Sequence, residues 1–301
     1  MEESPKRSVG RPRRTPQTQT IPRSGIVSDA INPDNIIEMS YDNVVVFKKL
    51  FSLLKNMTVK EITFQFSGSH IFIFGIDHLE KNTIHIKINP LKLNRYYCEQ
   101  PVSVCVDTKN LDKITQKIDK NYELISFILK KDSYRNNLLI TLNNEALSID
   151  ESHVIRLMES DNNDNSFMNR VFNFVDYPLK FELPGKYFKK IMNDIYSFNE
   201  VFTIEKVAVE PLNFTYKNLN NTVKGYHICK DSKKINLETT LSENDIFSVS
   251  VQIDYIKSIS NSLLSDSIKV YAHSEKDLVL SMPVDSDVIE VTTFISINKY
   301  N

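Results

Sequence analysis

Lys48, Ser52 and Lys55 fall three and four residues apart in Val44 to Met57, VVVFKKLFSLLKNM, the spacing that lines up side chains on one side of an α-helix. Phe47, Leu50, Phe51 and Leu54 occupy another side. No acidic residue occurs from Asn43 to Lys60, whereas a solvated helix usually mixes both signs for i to i+4 pairing. Ammonium groups gathered without carboxylates offer one chemistry, contact with a polyanion. For this segment alone, a surface helix that happens to lack acids is the alternative. The pattern recurs, however. Lys109, Lys113 and Lys117 are spaced four apart beside Leu111, Ile114 and Ile118, with Asp112 and Asp119 among them. Lys186 and Lys190 accompany Phe188, Ile191, Met192 and Ile195, and Lys257 accompanies Ile256, Ile259 and Leu263.

Covalent chemistry is not spelled out. The chain has no GxxxxGK[ST] loop, no GxGxxG, no GxSxG elbow and no HExxH pair. Its six glycines leave little for phosphate-cradling loops. The histidines His70, His78, His85, His153, His227 and His273 are far apart and read as ordinary strand or loop residues. Asp285-Ser286-Asp287 and Asp161 to Asp164 have the hard oxygens a cation would need, but turn and linker chemistry explains them. We expect no enzyme activity, no cofactor and no metal.

The elements that must position the lysines follow from period. With 301 residues, 41% of them hydrophobic, the chain can fill two domains of ordinary size. No apolar run approaches the roughly 20 residues of a membrane span, so no membrane partner is expected. Cys98, Cys105 and Cys229 have neither disulfide-framework nor zinc spacing and read as reduced thiols inside a cell. Residues 1–28 hold six Arg/Lys against two Glu; the net charge of -1 therefore leaves -5 on the rest. Nucleic-acid binding must come from local placement of charge.

Residues 1–33 are rich in Pro, Ser, Thr, Gln and Arg and are expected to be a disordered basic tail. Within it Gly10 to Arg14, GRPRR, is similar to the core of the AT-hook, whose arginines (here Arg11, Arg13 and Arg14) enter the minor groove; an import signal or a plain basic tail fits as well. Residues 34–159 read as a first domain. Strands are expected over 35–43, 61–66, 70–74, 83–88, 102–106, 124–129, 137–142 and 153–158, and helices over 44–57 and 109–120. An acidic, Asn-rich connector spans 160–177. Residues 178–301 then repeat the order, with strands at 180–183, 201–205, 212–216, 224–229, 234–239, 247–252, 268–272, 278–282 and 288–297 and helices at 186–195 and 254–264. The fold class is α+β, two similar β-rich domains with two short α-helices each.

Four lysine-bearing helices among many strands, in two like halves, resemble the sliding clamps of the proliferating cell nuclear antigen family. Phe47-Lys48-Lys49 with Leu54-Lys55 is similar to that family's first helix, and Leu183-Pro184 with Phe188 and Ile191 to its third. Ile76-Asp77 falls where a Met-Asp pair usually sits. The connector and the basic extension, which ordinary members lack, resemble the clamps of African swine fever type viruses. The resemblance implies a homotrimeric ring, a polymerase processivity factor encircling double-stranded DNA and recruiting DNA polymerase and other replication or repair proteins through short peptides. It would act in the host cytoplasm if viral, with the nucleus as the other location.

Under that resemblance Lys48, Lys55, Lys109, Lys113, Lys117, Lys186, Lys190 and Lys257 face the duplex. Asn261 stands where the family usually has lysine. The subunit interface falls on Asn137, Leu138, Leu139, Ile140, Thr141 and Leu142 and on Thr222, Val223, Lys224, Gly225, Tyr226, His227, Ile228 and Cys229; either segment reads equally well as a buried central strand. The partner-peptide groove falls on Ile76, Asp77, Leu79, Phe167, Met168, Val171, Phe172, Phe294, Ile295 and Ile297, apolar residues that would otherwise pack the connector down. Ser296-Ile297-Asn298 replaces the family's Ala-Pro-Lys tail. The competing reading is an architectural or regulatory DNA-binding protein that works through GRPRR.

Overall fold

Each half of the chain runs strand, helix, five strands, helix, three strands. The structure, a computed structural model, describes residues 32–131, 136–144, 147–159, 173–197, 201–207, 210–217, 224–229, 235–242, 244–262, 264–285 and 287–297. In the first half these are β1 (Asn35–Tyr41), α1 (Val44–Asn56), β2 (Val59–Phe66), β3 (Ile71–Asp77), β4 (Asn82–Ile88), β5 (Arg95–Cys98), β6 (Val102–Asp107), α2 (Thr108–Gln116), β7 (Leu124–Lys130), β8 (Asn137–Asn144) and β9 (Ile149–Arg156). The second half follows with β10 (Leu179–Pro184), α3 (Gly185–Tyr196), β11 (Val201–Val207), β12 (Leu212–Lys217), β13 (Lys224–Cys229), β14 (Asn236–Thr239), β15 (Ile246–Gln252), α4 (Ile253–Ser262), β16 (Ser267–Ala272), β17 (Leu278–Val284) and β18 (Ile289–Ile295).

The strands form three antiparallel sheets, ordered β5-β1-β7-β8-β9, β14-β10-β16-β17-β18-β4-β3-β2-β6 and β13-β12-β11-β15. The nine-stranded sheet crosses the boundary between halves, because β18 pairs with β4 from Ile289↔Ile88 to Ile295↔Asn82. The halves are thus not separate bodies, and Ile31–Asn301 is one compact unit.

Helix amphipathicity explains the core. Phe47, Leu50, Phe51 and Leu54 of α1 are fully buried, and Phe188, Ile191, Met192 and Ile195 repeat that spacing in α3 with the same burial. Phe127 of β7 gathers the first half, with ring centroids 5.2 Å from Phe47, 5.9 Å from Phe64 and 6.3 Å from Phe51. Phe214 does the same in the second, 5.5 Å from Phe202 and 5.9 Å from Phe181. Each such side chain contributes about 1.5–3 kcal/mol by leaving water. α1 packs against α2 and α4, and α4 against α3. The four helices therefore stand in one row, α2-α1-α4-α3.

The sequence did not announce β5. RYYC shows no alternation and every residue of it is half-buried; pairing with β1 and an ion pair from Arg95 Nε to Glu38 at 2.9 Å hold it. The second helix stops at Gln116 instead of Lys120, with Lys117 as its C-cap, and β9 begins at Ile149, four residues before the expected strand.

Candidate nucleic-acid interface and partner surfaces

The buried sides of the helices pack onto the sheets, so their remaining sides present charge to solvent. Asp107 begins α2 as an N-cap, its carboxylate accepting the Asn110 N–H at 2.9 Å. Lys109, Lys113 and Lys117 on that helix and Lys186 and Lys190 on α3 are exposed, which leaves their ammonium groups available to phosphate.

Three of the expected lysines are engaged instead. Lys48 Nζ donates to the carbonyls of Gln116 and Ile118, at 3.0 and 2.7 Å, and so satisfies acceptors left over at the end of α2. Lys55 Nζ lies 2.6 Å from Asp112 Oδ2. Lys257 sits over the Tyr196 ring, 2.7 Å from its centroid. Asp112 is 1% exposed and also accepts from Ser52 at 3.2 Å and Gln116 at 3.0 Å. Burial works against its charge, but hydrogen bonds from Lys55, Gln116 and Ser52 outweigh burial and hold the carboxyl below the usual carboxylate range. Lys49, by contrast, is exposed and was passed over. Its position was legible, since it stands two residues from both Phe47 and Phe51 and hence across the helix from the core.

The structure brings some of the expected groove residues onto one face and sends others to the opposite one. Register lines Ile76 up with Thr83, and Thr83 with Phe294, across β3, β4 and β18, so these three share a face; Leu79 and Ile297 are accessible near its end. Asp77 and Ile295 are not part of that wall. Strand alternation turns them to the opposite face, where they are 2% and 1% exposed. Asp77 there accepts the backbone N–H groups of Lys81 and Asn82 at 2.7 and 2.9 Å and the Asn82 side chain at 2.9 Å. Burial opposes its charge, yet these bonds and one from Tyr255 of α4 hold the carboxyl low. Phe174 stacks on Tyr271 with centroids 4.2 Å apart, placing the end of the connector on the Ile76 face. Phe167, Met168, Val171 and Phe172 lie outside the described residues, as do Arg11, Arg13 and Arg14.

The expected interface needs correcting in the first half. Asn137 to Leu142 belongs to β8, which pairs with β7 on one side and β9 on the other; its backbone groups are already used. Among the described strands the edges of that sheet are β9 and β5, and β9 pairs with β8 alone. In the second half β13 is an edge strand, paired with β12 alone, and Thr222 and Val223 lie outside the described residues.

The sequence profile of the N-terminal domain of proliferating cell nuclear antigen matches residues 36–165. A crystal structure of proliferating cellular nuclear antigen from Entamoeba histolytica superposes with a TM-score of 0.72 over 88% of this chain and 99% of that one, at 14% identity. The fold is that of proliferating cell nuclear antigen, and residues 36–165 match the N-terminal domain of that family. The chain is also 25% identical over 300 residues to an uncharacterized protein of African swine fever virus (strain Badajoz 1971 Vero-adapted), covering 97% of this chain and 98% of that one. A probable DNA polymerase sliding clamp of Paramecium bursaria Chlorella virus 1 is 22% identical over 243 residues, 80% of this chain and 89% of its own. The chain thus has viral relatives, one matching it along nearly its whole length. Among the described residues no helix is long and apolar enough to cross a membrane, and no three His, Cys, Asp or Glu side chains group as a metal site.

Proposed function

We propose that the protein is a processivity clamp: three copies join head to tail around duplex DNA, tether a polymerase and dock partner peptides on the Ile76 face. The observation that carries this reading is a pair of unmatched edges. β18 holds the same place in the second half that β9 holds in the first, and β4 the same place as β13. Within the chain β18 and β4 close on each other; their counterparts β9 and β13 are edge strands among the described residues, whereas the remaining edges, β5, β6, β14 and β15, are edges alike in both halves. A second copy supplies the missing strand to each, with main-chain hydrogen bonds that also cover edges prone to aggregate. The contact is heterologous and closes only as a ring.

The helix row supports a sliding contact. All eight lysines first named, in three copies and at once, would imply a salt slope near roughly -20, the mark of a static binder. With Lys48, Lys55 and Lys257 each held by a partner within the same chain, Lys55 while 52% exposed, fewer and interchangeable phosphate contacts operate, without base readout. Retention then comes from topology. The name of the chlorella virus relative supports the polymerase partner, and the African swine fever virus relative supports a place where viral DNA is copied in the host cytoplasm. A tail-driven architectural protein is not favoured, because the family match lies in residues 36–165, beyond the tail.

The test is retention. Protein loaded on nicked circular DNA should stay through a salt wash and be lost within seconds after linearisation at the same salt. Equal loss from both forms counts against encirclement. Deleting residues 1–33 should leave retention intact; its abolition would favour the tail-driven reading.

A further inference from the structure

The seam inside the chain and the seam proposed between copies differ in chemistry. Inside, β18 starts at Ile289 opposite the last residue of β4, Ile88, and two residues on Val291 faces Ile86. All four side chains are buried. β9 starts at Ile149 and β13 ends at Cys229. Laying those edges together in the internal register sets Ile149 against Cys229, Glu151 against His227 and His153 against Gly225. Where the permanent seam has Val291 and Ile86, the open edges carry a carboxylate and an imidazole.

Both groups already have polar company. Glu151 lies 3.2 Å from His153 Nε2 and accepts from the Tyr122 hydroxyl. His227 Nε2 lies 4.0 Å from Asp194 Oδ2 of α3. All remain partly accessible, with side-chain exposures of 30% for Glu151, 20% for His153, 30% for His227 and 48% for Asp194. A lone monomer therefore leaves this chemistry half-solvated at each end.

Resting on the ring reading above, we infer that Glu151 of one copy pairs with His227 of the next, so that each joint between copies is a proton-sensitive latch. The other groups facing the pair are His153 on β9, Asp194 on α3, Tyr122 and Asp119 in the turn after α2, and Lys117 at its end. Opposite Glu151 and His227 on the neighbouring strands stand Leu142 of β8 and Phe214 of β12, with the Tyr216 ring 6.3 Å from that of His227, none of them charged near neutral pH. With neutral imidazoles the joint holds by main-chain pairing and apolar contact. With protonated imidazoles, two cations and two carboxylates, Glu151 and Asp194, face one another across it, beside the positive charge of Lys117. Glu151 stays ionised throughout, because the Tyr122 hydroxyl bond, His153 and Lys117 hold its carboxyl low against burial. A second carboxylate beside His227 favours its charged form, so the added stability belongs to the acid side and fades as pH rises.

The experiment is sedimentation of the full chain at a series of concentrations at pH 6 and pH 8, with circular dichroism to verify that the fold is intact at both. Each joint should be severalfold tighter at the lower pH. Glu151→Gln and His227→Gln should each assemble as the parent does at pH 8 and lose most of the gain at pH 6. A trimer equally stable at both pH values, or a full gain retained in His227→Gln, overturns the latch and leaves the ring standing. A folded protein that is monomeric at both pH values at micromolar concentration overturns the ring reading itself.

Discussion

Asp112 determines how much of the α1 charge reaches a ligand. It sits under Lys55, Ser52 and Gln116, and its nearly complete burial means that the ion pair is a built part of the α1-α2 contact. Asp112→Asn should lower thermal stability by about 1–3 kcal/mol, the range for disturbing a buried polar network. It should also steepen the salt dependence of duplex binding by up to about one unit for each copy in contact, as the freed Lys55 joins. An unchanged slope in a salt titration would mean that Lys55 already reaches phosphate. None of this was legible beforehand, since Lys48 and Lys55 find their partners 57 to 70 residues along the chain. Helical period shows which side of a helix a lysine occupies; it is silent about who meets it there.

His85 makes the complementary case. It stands in β4 opposite Thr292 of β18, its ring 4.8 Å from Phe72 and only 8% exposed. Burial, with Lys87 nearby, pushes its imidazole down to about 4. The neutral form is favoured in the fold, so its contribution is whole above pH 6.5 and lost as pH falls from 6.5 toward 4, about 3 kcal/mol in all. Chemical denaturation at pH 7 and pH 4.5 should show that loss, and His85→Gln should reduce it.

At the level of elements, alternation and helical period recovered both lysine helices of each half and nearly every strand. They could not tell an edge from an interior. β8 alternates buried and half-buried residues along its length, the pattern equally of a central strand and of one awaiting a partner. Which edge stays open depends on strand order, a non-local property. The bulge in β2 between Val59 and Ile62 was also invisible, although its mate, Gly75, was in plain view. A Cβ there would lie 2.6 Å from Val59 Cγ1 and 3.1 Å from Ile62 Cγ2. Gly75→Ala should therefore destabilise by about 1–3 kcal/mol, measured as a lower midpoint in thermal unfolding, while an unchanged midpoint would mean that the bulge relaxes freely.

For the whole molecule, the row of helices matters more than any single lysine. Reversing Lys109 and Lys113 to Glu should cut affinity for linear duplex by more than tenfold at low salt and leave the oligomer mass unchanged in light scattering. These residues are exposed on α2, and surface changes of this kind usually shift stability by under about 0.5 kcal/mol each. Unaltered binding would move the DNA contact off the row.

The nine-stranded sheet has one more consequence. β4 and β18 share a ladder within one chain, whereas in the ring proposed above the outer amides of β9 and β13 gain protection only when another copy arrives. Deuterium uptake should therefore keep two clocks in the same molecule. The β4 and β18 amides tick with global unfolding, and those on β9 and β13 tick each time the circle springs open.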